Sequence, residues 1–237
     1  MNLILRLEAP HGGRSRRWTS ALLAGCLLAL APVLAPEATA QQGGKAPSPA
    51  EANAGCMGPF SGRIPRELAP FVLPDTRAMC AAAVDLNGDG LRDYVLVLEM
   101  VSPRENDPAK AEGERPLLVI ARQPGGALRV AARNDRVVYC AACGGIFGDP
   151  FEGVEARNQT FTVYHYGGSA WRWRMDYTFR YVPSAGTWRL SKVLELSYHS
   201  SAPEKMEEAT FFAPDDFGEI DLADFHPERW RRNPGRD

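Results

Sequence analysis

From Trp171 to Tyr181 the chain alternates without a break. Trp171, Trp173, Met175, Tyr177, Phe179 and Tyr181 are apolar or aromatic, whereas Arg172, Arg174, Asp176, Thr178 and Arg180 between them are polar or charged. Successive side chains of a strand point to opposite faces, so a period of two over this length specifies a β-strand with one aromatic and one charged face. Pro183-Ser184-Ala185-Gly186 turns the chain. The return segment is expected to put Trp188, Leu190, Leu194, Leu196 and Tyr198 on one face and Glu195 and His199 on the other. The result is a long antiparallel hairpin whose aromatic side covers the core, with outer arginines placed to meet Glu195 across the pair.

Further strand signals precede the hairpin. Met79 to Val84, Tyr94 to Met100, Leu117 to Ile120, Ala127 to Ala131, Arg136 to Cys140 and Phe161 to Tyr166 are short β-rich runs. Polar or glycine-containing turns separate them. Ser102 to Glu114 reads as a charged loop, Gly144 to Gly153 as a glycine-rich loop, and Pro203 to Phe212 as the one weakly helical stretch. The expected fold is mainly β: an antiparallel sheet or meander with long hairpins and little helix, α+β being the alternative. At 45% hydrophobic and 24% charged residues, the chain has enough apolar content for a core, which excludes low-complexity disorder and a supercharged nucleic-acid binder.

The amino terminus reads as an export signal. Arg14, Arg16 and Arg17 precede an apolar run from Ala21 to Ala35, and Ala38-Thr39-Ala40 offers small residues for cleavage. That run of 15 residues is shorter than the roughly 20 needed to span a bilayer, so no transmembrane span is expected in the mature chain. Leu23-Ala24-Gly25-Cys26 resembles a lipobox, making an outer-membrane lipoprotein through Cys26 the less favoured route. Its preceding apolar stretch is short, and that cut would leave Leu27 to Leu34 as greasy mature sequence. The expected organisation is a signal peptide over 1–40, a flexible tether over 41–58 and one β-rich domain over 59–237, located in the periplasm or outside the cell. Removing the leader takes four arginines and two glutamates from 27 basic and 29 acidic residues and leaves a net charge of −4. Nothing there attracts nucleic acid.

Export also changes how the cysteines read. With Cys26 in the leader, Cys56, Cys80, Cys140 and Cys143 remain, an even number that suggests two disulfides in an oxidising compartment. Three pairings are possible. Cys56–Cys80 with Cys140–Cys143 is favoured because the latter two are already neighbours.

The sharpest motif is Asp85-Leu86-Asn87-Gly88-Asp89-Gly90-Leu91-Arg92-Asp93. Asp85, Asn87, Asp89 and Asp93 supply side-chain oxygens at loop positions one, three, five and nine; Gly90 allows the tight turn and the Leu91 carbonyl fills position seven. That spacing suits Ca²⁺ in a structural role. Position twelve is Leu96 and the flanks are strands, so an EF-hand is rejected. The segment from Val84 to Tyr94 resembles the calcium loop of FG-GAP or VCBS repeats, in which the ligands are the side chains at these positions between two strands. It occurs once, whereas a propeller needs several blades. With Cys140-Ala141-Ala142-Cys143-Gly144-Gly145 and His165-Tyr166-Gly167-Gly168-Ser169, the longer pattern is similar to small exported bacterial proteins of unknown function that carry one such loop.

Cys140 and Cys143 have the spacing of a redox pair, but Gly144-Gly145 follow and no helical pattern opens to activate a thiol, so a structural bridge is preferred. His165 shares a face with Phe161 and Val163 and reads as a core histidine. His199 lies near a strand end. Asp149, His165 and His199 would have to converge to form an acid–base site, and no Gly-x-Ser-x-Gly signature is present. Trp171 begins an aromatic row that reads as core or, alternatively, as a sugar-stacking platform; His165, Trp171 and His199 are therefore the candidate ligand-binding residues. The leading expectation is a non-enzymatic, calcium-stabilised binding or envelope-structural domain whose partner is a cell-envelope glycan or protein. The alternative is a periplasmic thiol–disulfide oxidoreductase using Cys140 and Cys143, or a hydrolase using His165 and His199.

Overall fold

A computed structural model describes residues 55–58, 62–101 and 113–231. The expected leader with Cys26, residues 41–54 of the tether and most of the charged loop after Ser102 lie outside the described residues. The strands are β1 (Gly55–Met57), β2 (Thr76–Val84), β3 (Asp93–Met100), β4 (Arg115–Arg122), β5 (Leu128–Val138), β6 (Phe151–Arg157), β7 (Thr160–Gly168), β8 (Trp171–Val182), β9 (Thr187–His199) and β10 (Glu207–Phe212). Strands make up 54% of the structure and no helix reaches seven residues among the described residues, so the fold is mainly β.

There are two antiparallel sheets. One has the order β2-β3-β4-β5, the other β1-β6-β7-β8-β9-β10. They share one core, in which Val95, Val97, Leu117 and Val119 of the smaller sheet meet Val154, Phe161, Tyr177, Phe179 and Val193 of the larger. β3 and β4 read as nearly continuous apolar runs because both of their faces are covered. Tyr94, Leu96, Leu98, Leu118 and Ile120 point away from the larger sheet and lie under Leu68, Phe71, Val72 and Leu73 of the proline-rich arm. That arm, with a six-residue 3₁₀ helix over Arg66–Phe71, is fastened by polar contacts. The Tyr94 hydroxyl donates to Glu67 Oε1 at 2.5 Å, and Arg122 Nη2 donates to the same oxygen at 2.8 Å.

Several expectations change. Cys56, placed at the end of the tether, lies in β1, which pairs with β6. The runs at 127–131 and 136–140 are parts of β5, a single strand whose register on β4 slips twice. The glycine-rich loop ends at Pro150, and Phe151 opens β6. The stretch over 203–212 forms one 3₁₀ turn, Pro203–Lys205, and then β10. The free edge of β9 offers a ladder of backbone partners, which outweighs a weak local helical preference.

The long hairpin is present, but its faces are not those of strict alternation. A bulge shifts the β8–β9 register between Thr178 and Phe179. Ser191 is the extra residue, and its hydroxyl donates to the Thr178 carbonyl at 3.0 Å. Trp188 and Leu190 face the core as expected. Beyond the bulge, Val193 takes the core position opposite Tyr177, and Leu194, Leu196 and Tyr198 sit opposite Asp176, Arg174 and Arg172 on the outer face. One inserted residue reverses the facing of everything after it. Glu195 is consequently opposite Met175 rather than an arginine, and its ion-pair partner is Arg231. Arg174 pairs with Asp176 on its own strand.

The carboxy-terminal segment is held by Asn134, which is buried on β5. Its Nδ2 donates to the carbonyls of Leu222 and Phe225, both at 2.8 Å, and its Oδ1 accepts from the amides of Arg136 and Val137. Asn134→Ala strands buried donors and acceptors on both sides of this contact. The expected loss is about 3 kcal/mol in a denaturant titration, because each unsatisfied buried group costs roughly 1–3 kcal/mol.

Candidate functional site

The oxygen-rich motif is the turn between β2 and β3. The Asp85 carboxylate accepts the Gly88 amide at 2.7 Å and the Gly90 amide at 2.9 Å. Gly88 and Gly90 have φ of 81° and 84°, left-handed values that favour glycine. Asn87 Oδ1 accepts the Asp89 amide, Asn87 Nδ2 donates to Asp89 Oδ2, and Asp89 Oδ1 accepts the Leu91 amide. Asp93 is fully buried and receives the Leu86 amide at 2.9 Å and the Arg122 amide at 2.8 Å. Burial holds its carboxyl above the usual carboxylate range, those two amides oppose the shift, and the nearby charges of Asp89 and Asp85 add to it. The turn is tied to the larger sheet by Trp188 Nε1, which donates to the Leu86 carbonyl at 3.0 Å, and by the Gln159 amide on the Asp85 carbonyl.

In kind, this donor set fits a hard divalent ion: three carboxylates and an amide oxygen within nine residues, each oxygen with lone-pair capacity beyond one N–H bond. In geometry, what closes the turn is its own N–H groups. No three His, Cys, Asp or Glu side chains converge as a metal cluster among the described residues.

The second constellation lies at the end of the larger sheet. Cys140–Cys143 is a disulfide, as is Cys56–Cys80. The Cys140–Cys143 bridge occupies a turn with no helix after it, and it opens a loop that folds back on the end of β7. The Gly144 carbonyl accepts the Gly168 amide at 2.9 Å, and the Gly168 carbonyl accepts the Ile146 amide at 3.2 Å. A Cβ on Gly145 would stand 2.7 Å from the Gly168 carbonyl oxygen, and one on Gly167 would stand 2.6 Å from the Trp173 ring. The two double-glycine motifs are thus two halves of one backbone contact, which side chains would prevent.

His165 supports this contact from below. It is fully buried among Tyr139, Phe151 and Tyr177, with Tyr139 stacked on it at 4.3 Å. Nε2 accepts the Tyr139 amide at 3.3 Å and Nδ1 donates to the Met175 carbonyl at 3.2 Å, an arrangement that requires the neutral ring. Desolvation lowers its pKa to about 3; the Met175 carbonyl and Asp149 oppose that shift, and Arg115 adds to it. His165 therefore fills a structural place, and its register opposite Met175 keeps it from His199, which lies opposite Trp171 four residues away along β8. Asp149 is engaged by Arg115. Asp149, His165 and His199 do not come together.

Trp171 is 64% exposed and meets His199 edge-on at 5.2 Å; the later members of its row, Tyr177 and Phe179, are core. Beside it the loop tip presents Ile146 and Phe147, which are 75% and 48% exposed. Phe147 lies 4.1 Å above the Arg172 guanidinium and 5.7 Å from the Tyr166 ring, and the Tyr166 and Tyr198 hydroxyls are 3.0 Å apart. Sequence reasoning passed over Phe147, Tyr166, Arg172 and Tyr198 as a group. The alternation of Tyr164 and Tyr166 with Val163 and His165 was a usable signal, but the bulge at Ser191 hid the position of Tyr198.

No family model and no curated protein matches this chain. No helix of the described residues is long and apolar enough to cross a membrane.

The neutral, buried state of His165 has a pH consequence. In the unfolded chain a histidine takes up a proton near pH 6.5, whereas in the folded chain this ring resists protonation to about pH 3. Its contribution to stability is complete above about pH 6.5 and is lost as pH falls from there toward 3. His165→Gln, which can keep both hydrogen bonds, is expected to flatten the slope of unfolding free energy against pH by nearly one proton in that window, measured by denaturant titrations on both proteins.

Proposed function

We propose that this chain is an exported, calcium-stabilised β domain with a binding or envelope-structural role and without enzymatic activity. The observation that carries the binding role is the exposed surface of Ile146 and Phe147 on the loop and Trp171 at the start of β8, the loop being held in place by a disulfide, the contact between the two double-glycine motifs and a buried histidine. Exposed apolar groups on so restrained a frame suit a recognition surface. Calcium is supported by the side-chain oxygens of Asp85, Asn87, Asp89 and Asp93 at loop spacing and by the resemblance of that segment to FG-GAP or VCBS loops. Asp85, Asn87 and Asp89, with the Leu91 carbonyl and Asp93, would hold the ion, which would neutralise three clustered carboxylates and fix the β2–β3 turn. Export to the periplasm or beyond is supported by the expected leader and by two disulfides, which persist in oxidising compartments.

A thiol–disulfide oxidoreductase is the second reading. The exposure of Cys143 favours it, and the lack of a following helix to lower a thiol pKa weighs against it.

Calcium is tested by calorimetric titration and by thermal melts in calcium and in chelator. At a calcium concentration a hundredfold above Kd the stabilisation is expected to be about 2.7 kcal/mol. Asp89→Ala is expected to abolish both the binding heat and the melting shift. Equal melts in calcium and chelator would reduce the motif to a hydrogen-bonded turn.

A further inference from the structure

The end of the larger sheet, with the loop folded over it, carries no formal charge. Three segments form it: the loop from Cys140 to Gly148, the β7–β8 turn from Gly167 to Trp171, and the end of β9 with its continuation, Ser197 to Pro203. These 21 residues include no Asp, Glu, Lys or Arg, although 24% of the chain is charged. The segments are joined through their backbones. The Ile146 amide donates to the Gly168 carbonyl, and the Ser200 amide donates to the Ala170 carbonyl. Charge resumes only at the border, where Asp149 is engaged by Arg115 and the Arg172 guanidinium lies 4.1 Å from the centre of the Phe147 ring.

The large side chains that project from this end are Ile146, Phe147 and Trp171, all exposed. The backbone beneath them is closed on itself. The amides of Gly144, Ile146 and Gly148 in the loop, Gly168 and Ser169 in the turn, and Ser200 beyond β9 all donate to carbonyls of this same end. In lipid an unpaired amide is costly, so backbone that enters it must be satisfied internally. A charge there is costly as well. Ile and Phe favour the acyl region, and Trp favours the membrane interface. The patch is small for a protein partner: at roughly 150–250 Å² for each ring, it covers a few hundred Å², against about 800 Å² per partner in a standard protein interface. Shallow insertion at a bilayer surface requires no more than such a patch.

We infer that this end of the larger sheet docks on the surface of a phospholipid bilayer, with Ile146, Phe147 and Trp171 inserted at the headgroup–acyl boundary. The inference rests on the reading of the chain as an exported binding domain and names its partner. Because no charge takes part, the contact is apolar and resists salt.

The test is cosedimentation with phosphatidylcholine vesicles. The protein is purified as exported, with Cys26→Ser so that no lipid is attached to the chain itself. Binding is expected, and it changes less than threefold between about 0.15 M and 1 M salt. Ile146→Asp and Trp171→Ala are each expected to weaken it at least tenfold with unchanged melting temperature. Phe212→Ala removes an exposed ring from the far end of β10, opposite Lys192, and is expected to leave binding unchanged. Brominated acyl chains are expected to quench tryptophan emission of the bound protein, and Trp171→Phe to remove that quenching. Absence of wild-type binding overturns the inference, as do binding lost at high salt and binding that Phe212→Ala weakens as much as Trp171→Ala does. A delipidated envelope fraction separates this failure from failure of the underlying reading. Retention there that Ile146→Asp abolishes, without vesicle binding, assigns the partner to protein or glycan: the inference falls and the binding reading stands. Retention on neither overturns both.

Discussion

A buried cation fastens the segment that links the two sheets of this protein. Arg115 lies on β4 in the smaller sheet and is almost wholly buried. Its guanidinium donates to both oxygens of Asp149, at 2.7 and 2.6 Å, and to the Tyr139 carbonyl at 3.1 Å, with Glu99 at 3.6 Å. Tyr139 and Asp149 bracket the segment that carries the chain from β5 into β6, from one sheet to the other. Burying an unpaired guanidinium would be strongly unfavourable, so the fork and its acceptors must form together. The loop is pinned at both ends by that requirement. From the far side, His165 accepts the Tyr139 amide, so the same residue is held by a charge from one sheet and a neutral imidazole from the other.

Everything at the aromatic end follows from that pinning. The disulfide closes the first turn of the loop, Gly144 and Gly145 lie against Gly167 and Gly168, and the tip sets Phe147 over Arg172. The residues that reach the surface there come from β7, β8, β9 and the loop. A surface assembled from four segments is therefore as rigid as the sheet beneath it.

The β character of the chain was legible because alternation over Trp171–Tyr181 leaves no other regular structure. The continuous apolar runs in β3 and β4 were equally clear, although their cause, a second cover from the proline-rich arm, is a tertiary contact that no local pattern reveals. Facing was lost at Ser191, since a bulge leaves composition unchanged while it inverts parity. β6 was hidden because Gly153 carries little strand preference of its own and is recruited by pairing with β7 and β1. At the site, His165 was legible as a core residue from its neighbours Phe161 and Val163. The meeting of the two double-glycine motifs was not, because it depends on tertiary contacts, those of Arg115 and His165 among them. Trp171 shows the limit of periodicity: it shares a face with Tyr177 and Phe179 and yet is exposed, because the core ends before the strand does.

Amide hydrogen exchange resolved to single residues tests the central claim, that the loop between the sheets is locked to the end of the larger sheet by its buried partners. The amides of Tyr139, Ile146 and Gly168 all donate within this contact. The account predicts that they exchange together and nearly as slowly as the core amides of β7 and β8. Exchange of Ile146 and Gly168 at rates close to those of an unfolded chain, with β7 and β8 still protected, would contradict it.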